Sequence, residues 1–191
     1  MIVFNTPNVV TLSRIVLIPL IIGLYYLPEA WLSHQGKNIA ATVVFILAAL
    51  TDWLDGYLAR RLNQTSAFGA FLDPVADKLI VVGALVALLY LNRVDMLVAL
   101  IIIGREIAIS ALREWMAKVG QARSVAVAFT GKLKTVGQMV AIPLLLYNDH
   151  LFGVLDCQWV GTVLINVAAV LTVVSMLYYL RKALPYASVR S

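Results

Sequence analysis

Four aspartates stand close together in a chain that is otherwise mostly apolar. The segment TDWLDGYLARRLNQTSAFGAFLDPVADKL, residues 51–79, carries Asp52, Asp55, Asp73 and Asp77. These are four of only 10 acidic residues in a sequence that is 62% hydrophobic. Carboxylate oxygens with no histidine or cysteine beside them suit hard cations such as Mg²⁺, Mn²⁺ or Ca²⁺ rather than zinc. Four aspartates suffice for two ions that share bridging carboxylates. Two metals about 3.5–4 Å apart hold the attacking and leaving oxygens in much phosphoryl chemistry.

Helical spacing sorts these acids into two faces. Asp52, Asp55, Gly56 and Ala59 follow i, i+3, i+4, i+7, so two carboxylates share a face with two very small residues. Gly69, Asp73 and Asp77 follow i, i+4, i+8 if their helix reaches back to Gly69. Pro74 fits best in a first turn, where its missing N–H costs little, which leaves Gly69 in or near the loop. Either way two acidic faces can meet across a helix–turn–helix hairpin. Such carboxylates repel one another and cost several kcal/mol each, roughly, to desolvate, so cations must hold them together. Ion pairs with Arg60, Arg61 and Lys78 at a solvated helix end are the plainer alternative.

The elements that position these residues read as membrane helices. The chain has 191 residues and a mean hydropathy of +0.90, too apolar for a soluble domain. The N-terminus does not read as a cleaved signal, having no Lys or Arg before Arg14. A spanning helix needs roughly 20 apolar residues. Six such stretches are expected, at 9–27, 39–62, 71–91, 96–118, 129–147 and 160–180. The fourth is the least clean, because LVALIIIG runs into Arg105 and Glu106. Connections are short, so one helical-bundle domain over residues 1–191 is expected. The single Cys157 excludes an internal disulfide and reads as a small packing residue.

Charge sets the orientation. With six spans, both termini and the links after the second and fourth helices share a side. Thirteen of the 15 Lys and Arg residues fall toward it, leaving only Lys37 and Arg93 opposite. The positive-inside rule makes that side cytoplasmic. All four aspartates then lie at the cytoplasmic end of the second and third helices. The pI of about 9.5 accordingly points to topology and anionic lipid, not to nucleic acid.

The residues Asp52, Asp55, Gly56, Ala59, Arg60, Gly69, Asp73 and Asp77 match D-x2-D-G-x2-A-R-x8-G-x3-D-x3-D in full. This pattern resembles the signature of the CDP-alcohol phosphotransferases. PNVVTLSRI, TDWLDGYLARR, FGAFLDPVADK, REIAISALREWMA and GKLKTVGQ are similar to its bacterial phosphatidylglycerophosphate synthase branch, so the resemblance covers nearly the whole chain. It implies that glycerol 3-phosphate attacks the β-phosphorus of CDP-diacylglycerol, forming phosphatidylglycerol phosphate and releasing CMP. It further implies that Asp52, Asp55 and Asp73 ligate two Mg²⁺ or Mn²⁺ ions. In that family's pattern Asp77 is the expected general base and a metal ligand as well. The resemblance also implies that Gly56, Ala59, Arg60 and Gly69 line the CDP site, and that Asn8, Thr11 and Arg14 of the first helix lie beside the nucleotide and headgroup. A homodimer in the bacterial inner membrane is also implied. Helix capping by Asn8 and snorkelling by Arg14 are the alternative for the first helix.

A phosphorylated acceptor needs cations, and Arg suits bidentate phosphate contact. Arg105 and Arg113 on the fourth helix are candidates. On the fifth, Gly131, Lys134, Thr135 and Gln138 form a polar stripe expected to face the interior, while Lys132 points about 200° from Lys134. Arg113 and Lys134 lead as phosphate ligands, then Arg105 and Lys132. Alternatively Arg113 pairs with Glu106 or Glu114, and the lysines meet lipid headgroups. From the residues alone, a divalent-cation transporter is the rival class. No acid continues the site toward the far side within the second or third helix, which argues against a transport path.

Overall fold

The computed structural model describes residues 6–62, 67–121 and 129–186, and side chains within them except at 6–8, 52–62, 67, 70 and 129–133. Six helices make up nearly all of it: α1 Thr6–Leu24, α2 His34–Leu62, α3 Ala67–Tyr90, α4 Met96–Lys118, α5 Phe129–Tyr147 and α6 Cys157–Ala183. A 3₁₀ turn, Leu184–Tyr186, follows α6. One small element departs from the all-α expectation. β1 (His150–Leu151) pairs antiparallel with β2 (Leu155–Asp156) between α5 and α6, turning through Phe152 and Gly153 at positive φ.

Local chemistry explains the ends that differ from the apolar pattern. α2 starts at His34, five residues before the apolar run, because the Ser33 hydroxyl accepts from the Gly36 N–H and caps the first turn. Asp95 caps α4 through the Leu97 N–H, and Asp156 caps α6 through the Trp159 N–H. α3 starts at Ala67, so Gly69 sits in its first turn and Pro74 in its interior rather than at its start. The proline removes one rung of the ladder there.

One core joins all six helices, through Ile21, Phe45, Leu85, Ile102, Ile142 and Ile165, all nearly or fully buried. α1 packs on both α2 and α3, while α5 packs on α6 and α2, and α4 on α6. Among the described residues α2 and α3 touch each other only slightly, and both lean on α1. Two glycines allow close approach. A Cβ at Gly83 of α3 would overlap the Ile18 side chain of α1, and one at Gly161 of α6 would lie 2.7 Å from Leu145 Cγ of α5.

The outer surface is apolar. Val16, Leu100, Ile107 and Val170 are each about two-thirds exposed, on α1, α4 and α6. Exposed apolar patches of this kind mark membrane or partner contact. Among the described residues one stretch, Cys157–Tyr186, is long and apolar enough to cross a membrane. The other five expected spans do not reach that length and apolarity among the described residues; in α4, Arg105 and Glu106 interrupt the apolar run.

The bundle end away from the aspartates is closed by a buried polar lock. Arg93, in the α3–α4 link, is 7% exposed. Its Nη1 donates to the Leu145 and Leu146 carbonyls at the end of α5, at 3.2 and 2.8 Å. Its Nη2 donates to Asn38 Oδ1 at 2.9 Å and lies 3.2 Å from His34 Nε2. Burial pushes the Arg93 pKa below its ordinary value. Lys37 is also buried and donates to the Leu27 carbonyl at 2.6 Å.

Candidate active site

The opposite end is built on α3. Asp73 and Asp77 lie one turn apart on one face, with 47% and 43% of their side chains exposed. α1 supplies their inner partners. Thr11 and Arg14 are three residues apart, hence on one face, and each is 1% exposed. The Thr11 hydroxyl donates to Asp73 Oδ1 at 2.6 Å. Arg14 Nη1 donates to Asp77 Oδ1, and its Nη2 lies 3.8 Å from Asp73 Oδ1. Arg14 therefore does not snorkel to the surface: it is buried against the acidic face of α3. Thr11, expected beside the nucleotide and headgroup, meets Asp73 of the acidic face.

The side chains of Asn8, Asp52, Asp55, Gly56, Ala59, Arg60 and Lys132 lie outside the described residues, although the backbone of residues 52–62 is helical. Gly69 is buried at the start of α3. Among the described residues no three metal-ligating side chains gather. Asp73 and Asp77 supply the part of a donor set that can be tested. They offer only carboxylate oxygen, both stay partly open, and His34 and His150 lie at the other end of the bundle. That chemistry fits a hard divalent cation.

Beside Asp77 opens a cavity of about 310 Å³ between α3, α4 and α5. Its wall includes Asp77 and Lys78 of α3, Glu106 and Arg113 of α4, and Thr135 and Gln138 of α5. The polar stripe of α5 does face inward, with Lys134 and Gln138 both buried. Of the cations expected around the acceptor, Arg113 stands on this wall. Arg105 and Lys134 do not: they stand behind it, 6% and 2% exposed, and both bind Glu106 Oε1, at 3.0 and 2.6 Å. Arg113 pairs with neither carboxylate considered for it. Glu106 is taken by Arg105 and Lys134, and Glu114 pairs with Lys118 at 2.9 Å. The Arg113 guanidinium instead sits 5.9 Å from the centre of the Tyr179 ring.

Two residues were not placed in the site by sequence reasoning: Lys78 and Glu106. Arg14, grouped with Asn8 and Thr11 beside the nucleotide and headgroup, meets the α3 aspartates instead. For Glu106 the choice among neighbouring cations depends on how α4 and α5 align, which spacing along one helix does not give.

A helical bundle with an apolar exterior, an oxygen-donor acidic face and an adjoining cavity walled by both cations and carboxylates belongs with the helical proteins that handle phosphorylated groups at a lipid surface. The chain is a member of the CDP-alcohol phosphatidyltransferase family, whose model matches residues 4–175. It is 49% identical over 182 residues to the CDP-diacylglycerol–glycerol-3-phosphate 3-phosphatidyltransferase of Shigella flexneri serotype 5b (strain 8401), covering 94% of this chain and 95% of that one. Proteins of the same name from Salmonella choleraesuis (strain SC-B67) and Escherichia coli (strain K12) are 48% identical over the same share.

Proposed function

We propose that this protein transfers the phosphatidyl group of CDP-diacylglycerol to the primary hydroxyl of glycerol 3-phosphate, giving phosphatidylglycerol phosphate and CMP. The observation that carries this reading is the cavity in which Asp77 and Arg113 share a wall. It brings a carboxylate able to take a proton next to a cation able to hold a phosphate, in a space suited to a small molecule. The relatives' shared name agrees with it.

In this reading Arg113, helped by Lys78, holds the acceptor's phosphate. The primary hydroxyl then faces Asp77. Its oxygen bonds to the β-phosphorus of CDP-diacylglycerol, its proton passes to Asp77, and the bond from that phosphorus to the CMP oxygen breaks. Thr11 and Arg14 fix the two α3 carboxylates so that Asp77 keeps one orientation. Asp73 and Asp77, with Asp52 and Asp55 of α2, would hold Mg²⁺ or Mn²⁺. Those ions would lower the pKa of the attacking hydroxyl and offset charge on the pyrophosphate. Gly56, Ala59, Arg60, Gly69, Asn8 and Thr11 receive the CDP group.

The same reading makes the chain a single-domain, multi-pass protein of the bacterial cytoplasmic membrane, with six spans, both termini cytoplasmic and a homodimeric assembly. The apolar exterior of α1, α4 and α6 supports membrane residence. The deciding experiment gives the purified full-length protein CDP-diacylglycerol and a panel of alcohols, with and without Mg²⁺ or Mn²⁺. Metal-dependent CMP release with glycerol 3-phosphate, and little with serine, inositol, inositol phosphate or phosphatidylglycerol, is expected. Preference for any other acceptor overturns the assignment.

A further inference from the structure

We propose that Glu106 is a specificity-determining residue, which accepts a hydrogen bond from the acceptor's non-reacting secondary hydroxyl. Arg105 and Lys134 act on it as positioning residues rather than as phosphate ligands. The proposal rests on the acceptor reading above and deepens it.

Three observations meet at this carboxylate. Glu106 lines the cavity shared by Asp77 and Arg113, with 21% of its side chain exposed. Its Oε1 is held from two sides, by Lys134 Nζ at 2.6 Å and Arg105 Nη1 at 3.0 Å. Its Oε2 takes no hydrogen bond among the described residues and is not one of the buried unpaired atoms. One oxygen is therefore locked and the other open.

A bare carboxylate is a poor neighbour for a phosphorylated substrate, because like charges repel. Here two cations on Oε1 offset that repulsion and leave the trio net positive. An ionised carboxylate can only accept hydrogen bonds. The group it can read on the acceptor is thus an O–H and not a phosphate oxygen. With the phosphate at Arg113 and the primary hydroxyl at Asp77, the remaining donor on glycerol 3-phosphate is its secondary hydroxyl. A site built to bind a hydroxyl discriminates against an analogue that lacks it, because its own polar group is then left unpaired.

The test compares glycerol 3-phosphate with 3-hydroxypropyl phosphate, which keeps the phosphate and the primary hydroxyl and lacks only the secondary one. The readout is CMP release by the full-length protein. The wild type should prefer glycerol 3-phosphate by about 10- to 100-fold in kcat/KM, the range of one hydrogen bond to a charged group. Glu106→Gln should shrink that ratio at least about fivefold, through loss on glycerol 3-phosphate and little change on the analogue. Lys134→Met should also shrink it, whereas Arg113→Ala should weaken both acceptors alike, since they share the phosphate. Equal use of the two acceptors by the wild type overturns the proposal and leaves the proposed reaction standing, and needs no variant to fold. An equal loss on both in Lys134→Met assigns that lysine to the phosphate and likewise overturns it. CMP release with neither acceptor overturns the reaction itself.

Discussion

The two ends of the bundle bury arginines in opposite ways. At the far end Arg93 meets two carbonyls, an asparagine and a histidine, with no carboxylate paired to it among the described residues, and Lys37 meets a carbonyl. At the aspartate end Arg14 meets carboxylates that remain nearly half exposed, and Lys134 and Arg105 share one oxygen of a glutamate whose other oxygen is open. The first arrangement is finished within the chain and ties helix ends together. The second leaves polar capacity facing a cavity. A buried charge closed on the backbone works as a fastener, whereas one that orients an open carboxylate prepares a surface for something else.

That contrast breaks down if variants at the two ends behave alike. The largest effect is expected from removing divalent cations with a chelator. CMP release should vanish and return on adding Mg²⁺ or Mn²⁺, while the thermal unfolding midpoint, followed by helical circular dichroism, falls far less than in an Arg93 variant. Next, Asp77→Asn should lower kcat by at least about a hundredfold, the usual share of a general base, with CDP-diacylglycerol still bound in a flotation or equilibrium assay. Near-normal turnover would remove Asp77 from the chemistry. At the far end the signs reverse. Arg93→Met should cost about 3 kcal/mol of stability, read as a lower unfolding midpoint, and leave kcat at low temperature within about twofold. The smallest effect is expected from Thr11→Val. Loss of its hydrogen bond to a half-exposed carboxylate should cost about 1 kcal/mol or less, with a modest fall in kcat. A fall as deep as that of Asp77→Asn would make Thr11 more than a support.

Much of this contrast could be read from one dimension, and its limits are physical. α4 and α5 have the bounds their apolar runs suggested, 96–118 and 129–147. α2 and α3 begin earlier than their apolar runs, since a Ser33 cap and a glycine-containing first turn carry helix into polar sequence. The spacing of Asp73 and Asp77 gave their common face correctly. It gave no sign that α3 would rest on α1 rather than on its hairpin neighbour α2, because periodicity fixes a face and not what it meets. The same gap hid the partners of Lys134. Its inward direction was legible from the α5 stripe, yet which carboxylate it meets depends on how α5 slides along α4. Lys37 and Arg93, counted as loop charges by the inside–outside bias, are both buried. A composition rule sees charge and cannot see a carbonyl waiting for it.

The tie between α1 and α3 also bears on how the chain is made. Arg14 is near the middle of α1, and its partners Asp73 and Asp77 follow a whole helix later in the chain. For a membrane chain, an arginine within an apolar helix is costly to insert without a partner. That cost stands uncompensated until α3 arrives beside it. In a membrane-spanning chain, α1 would reach its final place only once the segment carrying the aspartates has been translated.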